Sequence, residues 1–578
     1  MISEDVFIRR TYNRFLMPTV FALLGTTFSA FGNTILAGNI LGKEVLGVMN
    51  IMSSFTFLFA MFGCLISIGA ASRSSIAIGR GDYDSAGKYE WLALVLSIAL
   101  PVVISLPCLL DFRGLFLLLG GDAEDYYIGA SYGKLVIAFG FLNTLMYFPF
   151  NFLRMIGKGR YGMYSFGVMG ILDVVLVYVF LKLGMGPAGV ALGSIISMIA
   201  ANAAGLYFLF SKNSLFRMIR PPRKDLGVMF TTIATFGGAA ALNNLCKVLR
   251  TVAMNLLVVR SLGQEGLQSL AVGCSIINLA SASVTGFGQA ASPIIGVLYG
   301  ERDMKGQRQA LRISVIYSLV FHTLLAVIIM LFASQIAALF GISSAEHITR
   351  TAFLIRLVAV SLIPASVMNV MIYYYTAIGE YRCSLILTVM HGLVLVVAIT
   401  AVCLRISPSD LYGTSFIFAE LLDFGIMAVL RIRKKPEQVY AEKFFSTVSD
   451  GTEDGAVNTS RQVTEFCEEN DVSPALCMKL PLVVEELLVI LARHCAADRS
   501  FRIDVRISLA EGKVLMRLRC EGATFNPIEW YRDRKERLTP EELMEDECFG
   551  MNVVDRLVND VKYSSIFDVN NLIVTMDG

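Results

Sequence analysis

Apolar residues run along the first 430 positions in long blocks. Each is about the length a helix needs to cross the roughly 30 Å hydrocarbon core of a bilayer. Such blocks lie near 15–40, 46–70, 89–110, 131–154, 162–183 and 187–210, and after a basic break near 228–260, 267–298, 311–340, 351–378, 384–404 and 411–430. The pattern predicts twelve spans in two sets of six. Past residue 436 the period changes. Segments 461–469 and 475–496 read as amphipathic helices, 501–509 and 514–520 alternate as paired strands joined at Glu511-Gly512, and 571–576 closes as a strand. The expected fold is an all-α polytopic membrane protein of two six-helix bundles, followed by an α/β layered cytoplasmic domain. Its expected boundaries are 1–220 for the first lobe and the central loop, 221–436 for the second lobe, 437–460 for a linker and 461–578 for the tail.

Composition sharpens this division. Of 578 residues 55% are hydrophobic and 17% charged, against about 25% charged in soluble chains. Residues 1–440 hold 33 Lys and Arg against 21 Asp and Glu, whereas 441–578 hold 16 against 26. A basic membrane part is thus joined to an acidic, water-soluble tail. The eleven cysteines are dispersed with no CxxC pair, which counts against structural zinc and a thioredoxin-like site. No GxxxxGK[ST] sequence occurs, so transport driven by a P-loop ATPase within this chain is excluded. No metal and no nucleic-acid partner is expected.

Lys and Arg in the short loops set the orientation. With the N-terminus inside, the inner loops carry Arg80 and Lys88; Arg154, Lys158 and Arg160; Lys212, Arg217, Arg220, Arg223 and Lys224; Arg302, Lys305, Arg308 and Arg312; Arg382; and Arg431, Arg433, Lys434 and Lys435. The outer loops are poor in them, and one holds Asp122, Glu124 and Asp125. Both termini are expected in the cytoplasm and the protein in the cell membrane.

The two sets of spans are copies. A shift of 221 residues lays Leu41, Gly42, Glu44 and Leu46 on Leu262, Gly263, Glu265 and Leu267, and Gly79 and Asp82 on Gly300 and Asp303; a shift of 222 lays Ile156, Gly157, Arg160 and Gly170 on Ile378, Gly379, Arg382 and Gly392. Six spans per copy give both halves the same topology, related by a pseudo-two-fold axis along the membrane normal, as in many secondary transporters.

The stretches Asn33-Thr34-Ile35-Leu36-Ala37-Gly38, Gly79-Arg80-Gly81-Asp82, Arg154-Met155-Ile156-Gly157 and Gly184-Met185-Gly186-Pro187-Ala188-Gly189, set in this repeat, resemble the MATE (multidrug and toxic compound extrusion) transporters over about residues 10–435. The resemblance implies an antiporter exporting amphipathic drugs or metabolites by alternating access, coupled to Na⁺ or H⁺. Many members carry an Asp in the first span, where this chain has Asn33, and an Asn then an Asp in the fifth, where it has Asp173 and Val177. A common Thr of the sixth span is matched by Ser194. Amide and carboxylate are thus exchanged, and Asp173, Asn33 and Ser194 are the expected cation-coupling residues. An ionisable group in mid-span marks function by default.

In the second half, Lys247 and Arg250 (i, i+3), Arg356, Glu420 and Asp423 (i, i+3), with Asn243 and Gln289, are the expected substrate-cavity residues. The bases either meet an anionic group or pair with the two acids. His322 and His391, isolated in apolar runs, read as packed or interfacial histidines rather than ligands. An alternative to drug export is flipping of an anionic lipid-linked or amphipathic substrate. Another is a membrane sensor controlling a tail-bound partner.

The tail resembles the histidine-kinase-like ATPases of the anti-sigma-factor kinase type, through Glu485-Glu486, Gly522-Ala523-Thr524-Phe525-Asn526-Pro527 and Gly550-Met551. That family's Mg²⁺-holding Asn is matched by Ile490 and its adenine-reading Asp by Cys520. Isoleucine cannot ligate Mg²⁺ and a thiol accepts an amine poorly. Glu486, Ile490, Cys520, Gly522 and Gly550 therefore mark a degenerate nucleotide site. The chain is expected to be a transporter without tail kinase activity or ATP as cofactor, the tail instead binding a cytoplasmic regulatory protein.

Overall fold

A computed structural model describes all residues except Met1, 120–125, 157, 211–217, 302, 341–343, 407–409, 434–442, 471, 497–500, 511–512, 547, 567–568 and 578. The acidic loop Asp122, Glu124 and Asp125, the central-loop Lys212 and Arg217, the basic Arg302, Lys434 and Lys435, Gly157 and the 511–512 turn lie outside the described residues. The chain divides into two compact units, 9–435 and a second formed by 436–578 with residues 1–8.

Among the described residues, twelve helices are long and apolar enough to cross a membrane. They are α1 (Ile8–Leu41), α2 (Ile51–Gly79), α3 (Tyr83–Leu110), α4 (Tyr126–Met155), α5 (Gly159–Lys182), α6 (Gly186–Leu209), α7 (Arg223–Gly263), α8 (Glu265–Gly300), α9 (Met304–Leu331), α10 (Ala345–Ala377), α11 (Tyr381–Ile406) and α12 (Leu411–Leu430). Helices α7 and α8 meet without a gap, broken only where Gly263 takes φ 68° and ψ −158°. Its counterpart at the same turn in the first half, Gly42, has φ 92° and ψ −178°. An L side chain is strained at such φ, so both turns require glycine. The match continues beyond the turns. Asp82 caps α3 by accepting from Ser85 N at 3.0 Å, and Asp303 caps α9 by accepting from Gly306 N at 2.8 Å.

The two lobes approach each other through glycines. A Cβ added at Gly79 would sit 2.9 Å from Cα of Gly300, and one added at Gly300 would sit 2.9 Å from Cα of Gly79. Gly286 of α8 similarly brings that helix onto Val20 of α1. Small residues let backbones touch where lipid gives no hydrophobic drive to associate.

The tail is a five-stranded antiparallel sheet, β1 (Lys443–Ser449), β2 (Ile503–Ala510), β3 (Lys513–Glu521), β4 (Asp560–Ile566) and β5 (Val569–Asp577), in the order β1-β2-β3-β5-β4. Ile503, Val505 and Ile507 face Cys520, Leu518 and Met516 across the β2–β3 register. Together with Leu572, Val574 and Met576 they pack on Val483, Val484, Leu487 and Leu491 of α14 (Pro474–Cys495), next to α13 (Glu453–Glu469). The other face of the sheet pairs Asp504 with Arg519 and Arg506 with Arg517. The stretch read as a linker holds β1 and the start of α13, so the tail's ordered structure begins earlier than 461. The charged segment after Asn526 folds as the short helices α15 (Pro527–Lys535) and α16 (Pro540–Glu545), followed by α17 (Phe549–Leu557).

Candidate functional site

Helices α1, α5 and α6 place four polar side chains together in the first lobe. Close contact of small residues makes this possible: a Cβ at Gly170 would lie 2.7 Å from the carbonyl of Gly25, and one at Gly193 2.8 Å from N of Val177. Gly170 is one turn before Asp173, and Gly25 is one turn before Ser29, so the approach of α1 to α5 aims Ser29 and Asn33 at the carboxylate. Asn33 Nδ2 donates to Asp173 Oδ2 at 2.8 Å, and the Ser29 hydroxyl donates to the same oxygen. Ser194 Oγ donates to Asp173 Oδ1 at 2.8 Å and accepts from Asn33 Nδ2 at 3.3 Å. Asp173 is 4% exposed. The Asn33 carbonyl Oδ1 is buried and accepts no hydrogen bond.

Asn33, Asp173 and Ser194, the three residues expected from the sequence, thus form one cluster. Ser29 was not singled out. Its signal is its i, i+4 spacing from Asn33 on a helix face.

A second network spans the lobes. Arg154, 4% exposed, donates to Asn151 Oδ1 at 2.7 Å and to Gln289 Oε1 at 3.3 Å, and its guanidinium lies 5.2 Å from the Phe150 ring centroid. Gln289 in turn donates to the Tyr373 hydroxyl at 3.0 Å. Gln289 is therefore an inter-lobe link, held by a buried arginine that the sequence placed in a loop. Helix α1 also reaches the other lobe: Tyr12 donates to the Phe287 carbonyl at 3.2 Å and Arg9 to the Tyr317 hydroxyl at 2.7 Å.

The MatE family model matches residues 18–179 and 239–402, which is one block in each lobe and more than half of the chain. The chain belongs to the MatE family and is a membrane transporter. Two curated MatE-like relatives are the probable multidrug resistance protein NorM of Agrobacterium fabrum, 26% identical over 46% of this chain and 58% of that protein, and the FAD transporter of Shewanella oneidensis, 23% identical over 52% of this chain and 68% of that protein. The alignment with NorM thus spans under two thirds of its length. Among solved structures, a MOP superfamily transporter from Pyrococcus furiosus (21% identity) and an outward-facing multidrug resistance MATE family transporter (22% identity) each give a TM-score of 0.67, covering 74% of this chain and 97% of theirs. The fold is that of MATE transporters.

In this MatE chain the second-lobe residues separate. Glu420 and Asp423 lie on α12 beside His391 of α11, whose Nδ1 is 3.0 Å from Glu420 Oε2 and 3.7 Å from Asp423 Oδ2. Histidine, rather than Lys247 or Arg250, is the direct partner of the acids, so of the two alternatives for the bases their pairing with Glu420 and Asp423 is not formed among the described residues, and His391 stands between α11 and α12. Among the described residues neither Lys247 nor Arg250 forms an ion pair, although Arg250 is within electrostatic range of Glu420 and His391. Asn243 is half-buried on the same helix, one turn before Lys247, and Arg356 is exposed on α10, so neither joins the cluster. His322 is fully buried, bonded to the Ser318 carbonyl and Ser283.

In the tail, Glu486, Ile490 and Gly550 meet: a Cβ at Gly550 would strike the Glu486 carboxylate and lie 3.4 Å from Ile490 Cδ1. Burial, aided by the neighbouring Glu485, raises the Glu486 carboxyl above the ordinary range. Cys520 is 2% exposed and its thiol faces Cys495, which also accepts from Asn570 at 3.6 Å. Gly522, at φ 137°, lies against the Cys495 carbonyl. The residues expected at a degenerate site therefore fall in two packed groups, one around Glu486 and one around Cys495.

Proposed function

We propose that this protein is a cation-coupled antiporter that exports amphipathic drugs or metabolites, with Na⁺ or H⁺ exchanged at Asp173. The observation carrying the reading is the buried carboxylate ringed by Ser29, Asn33 and Ser194, with the Asn33 carbonyl still lacking a donor. The donors neutralise part of the carboxylate's desolvation cost while no ion is bound. When a cation arrives, the two hydroxyls rotate their hydrogens away. The carboxylate, the hydroxyl oxygens and Asn33 Oδ1 then offer it oxygen ligands. A proton arriving instead neutralises Asp173 and frees the same donors.

Helix α1 converts this local exchange into a lobe movement. One half of it carries Ser29 and Asn33, and the other half holds Tyr12, Val20 and Arg9 against α8 and α9. An ion that ties α1 more tightly to α5 and α6 in one conformation than in the other shifts the lobe equilibrium by that difference in affinity. With the N-terminus inside, Gly79 and Gly300 lie at the cytoplasmic ends of α2 and α8. Their contact then corresponds to an outward-facing state, with both termini cytoplasmic in the cell membrane.

The test is reciprocal exchange in proteoliposomes. Adding a transported cationic dye on one side must release Na⁺ or H⁺ in the opposite direction, and dye movement without ion countermovement contradicts antiport.

A second reading is favoured by Lys247 and Arg250, neither of which forms an ion pair among the described residues, and by the likeness to a protein named as an FAD transporter. In this reading the cargo is an anionic amphiphile that is flipped or carried. Uptake of labelled FAD or an anionic lipid-linked probe, lost in Lys247→Gln, with no dye efflux, distinguishes it. For the tail we propose a regulatory, protein-binding role without catalysis, supported by Ile490 and the packed Cys520 at the two positions that nucleotide chemistry needs. If the membrane part is instead a sensor, deleting 441–578 abolishes its output, whereas an autonomous exporter retains transport.

A further inference from the structure

The α11–α12 pair holds a group of side chains that antiport at Asp173 does not use. Asp423 is 0% exposed, and among the described residues neither of its carboxylate oxygens accepts a hydrogen bond. Its Oδ2 points at His391 Nδ1, 3.7 Å away, beyond hydrogen-bond reach. That nitrogen carries at most one proton, and Glu420 at 3.0 Å already takes it. A simple ion pair therefore leaves a buried carboxylate bare, which is costly.

The backbone is irregular at the same place. Residues Met390–Val394 form a single π-turn inside α11, the kind of one-residue insertion that re-aims side chains and recurs at functional sites. It turns His391 onto α12, and Gly392 beside it lies against Cys246 of α7.

We propose that His391, Glu420 and Asp423 form a binding site for a divalent transition-metal ion, clamping α11 to α12. One nitrogen and two carboxylate oxygens, all within 4.8 Å of one another, converge on one point. A tetrahedral ion of the zinc class binds such ligands at about 2.0–2.1 Å, placing them about 3.3 Å apart. The separations of 3.0 and 3.7 Å from Nδ1 bracket that value. The ion replaces the Nδ1 proton, gives Asp423 its missing partner, and cancels the charge of two carboxylates. An imidazole nitrogen in the ligand set favours zinc-like ions over alkali and alkaline-earth cations. Arg250 faces the cluster from α7 as a like charge to the ion. Its effect is to weaken binding, so its removal tightens the site.

The test is a Co²⁺ titration of the purified, untagged full-length protein, followed by the ion's visible ligand-field absorption and reversed by Zn²⁺. The site predicts one equivalent per chain, displaced by equimolar Zn²⁺ and unaffected by excess Na⁺. His391→Ala and Asp423→Asn each lower the affinity at least about tenfold, and Arg250→Gln raises it. Asp423→Asn remains monodisperse in chelator, because it removes a bare buried charge. No saturable signal, a signal that survives both His391→Ala and Asp423→Asn, or displacement by Na⁺ overturns the proposal. Binding is read without transport, so its failure is distinguishable from failure of the antiport reading.

Discussion

Gly79 and Gly300 occupy equivalent positions in the two halves of the chain, and they lie against each other across the lobe boundary. The contact is reciprocal. A Cβ on Gly79 would strike the Val297 carbonyl, and a Cβ on Gly300 would strike the carbonyl of Ile76, which is the repeat counterpart of Val297. Two equivalent pairs meeting in this way place the pseudo-two-fold axis between them.

A side chain at this contact holds the lobes apart. Gly300→Leu overpacks the crossing at a cost of about 1–3 kcal/mol, shifting the lobe equilibrium away from the closed contact by about 5–150-fold. In a background lacking the native cysteines, Ile76→Cys and Val297→Cys are expected to cross-link readily. Adding Gly300→Leu suppresses the bond. Cross-linking that is unchanged shows the contact to be loose.

The Arg154–Gln289–Tyr373 chain holds the same interface by hydrogen bonds. A double-mutant cycle of Arg154→Met and Gln289→Met, read on the 76–297 cross-link equilibrium, is expected to give a coupling of about 0.5–3 kcal/mol. Additive effects would mean that the two side chains act separately.

The spans were legible because each hydrophobic block must exclude charge over the whole membrane thickness, and the repeat was legible because turns such as Gly42 and Gly263 tolerate one residue type. The first-lobe cluster could be read from Asn33, Asp173 and Ser194 because mid-span polar groups stand out in apolar sequence. Ser29 did not stand out, since serines scatter through these helices. The role of His391 was hidden for a different reason: it depends on a π-turn that carries no sequence signature and on which helix neighbours α11. In the tail, β1 was missed because Lys443–Ser449 follows a basic, Pro-containing stretch that reads as a linker. Strand β4 was missed because polar Asp560–Ile566 shows little alternation.

Ser29 contributes an oxygen to the candidate cation site. Ser29→Ala removes one of the oxygen ligands that a bound cation needs, so it is expected to raise the cation concentration giving half-maximal dye exchange by about tenfold, about 1.4 kcal/mol, with maximal exchange retained. Ser194→Ala behaves alike. No change in either variant removes the hydroxyls from the site.

Glu486 gives the tail a pH dependence of stated sign. Its folded carboxyl titrates above the unfolded one, so the native tail keeps the proton longer. Stability therefore falls as pH rises from the ordinary Glu range through the raised value. Glu486→Gln slows hydrogen exchange along α14 at neutral pH and leaves it unchanged below the ordinary Glu range. Mg-ATP is expected to leave exchange there unaltered in the full-length protein. Protection by Mg-ATP would restore a nucleotide function to the tail.

The central claim is that Asp173 couples ion to cargo. The direct measurement is dye efflux from proteoliposomes under an imposed Na⁺ or H⁺ gradient, comparing the wild type with Asp173→Asn. Gradient-driven efflux that disappears in Asp173→Asn, while dye binding persists, is the predicted result. Efflux that responds to the gradient equally in both proteins contradicts it and moves coupling away from the first lobe.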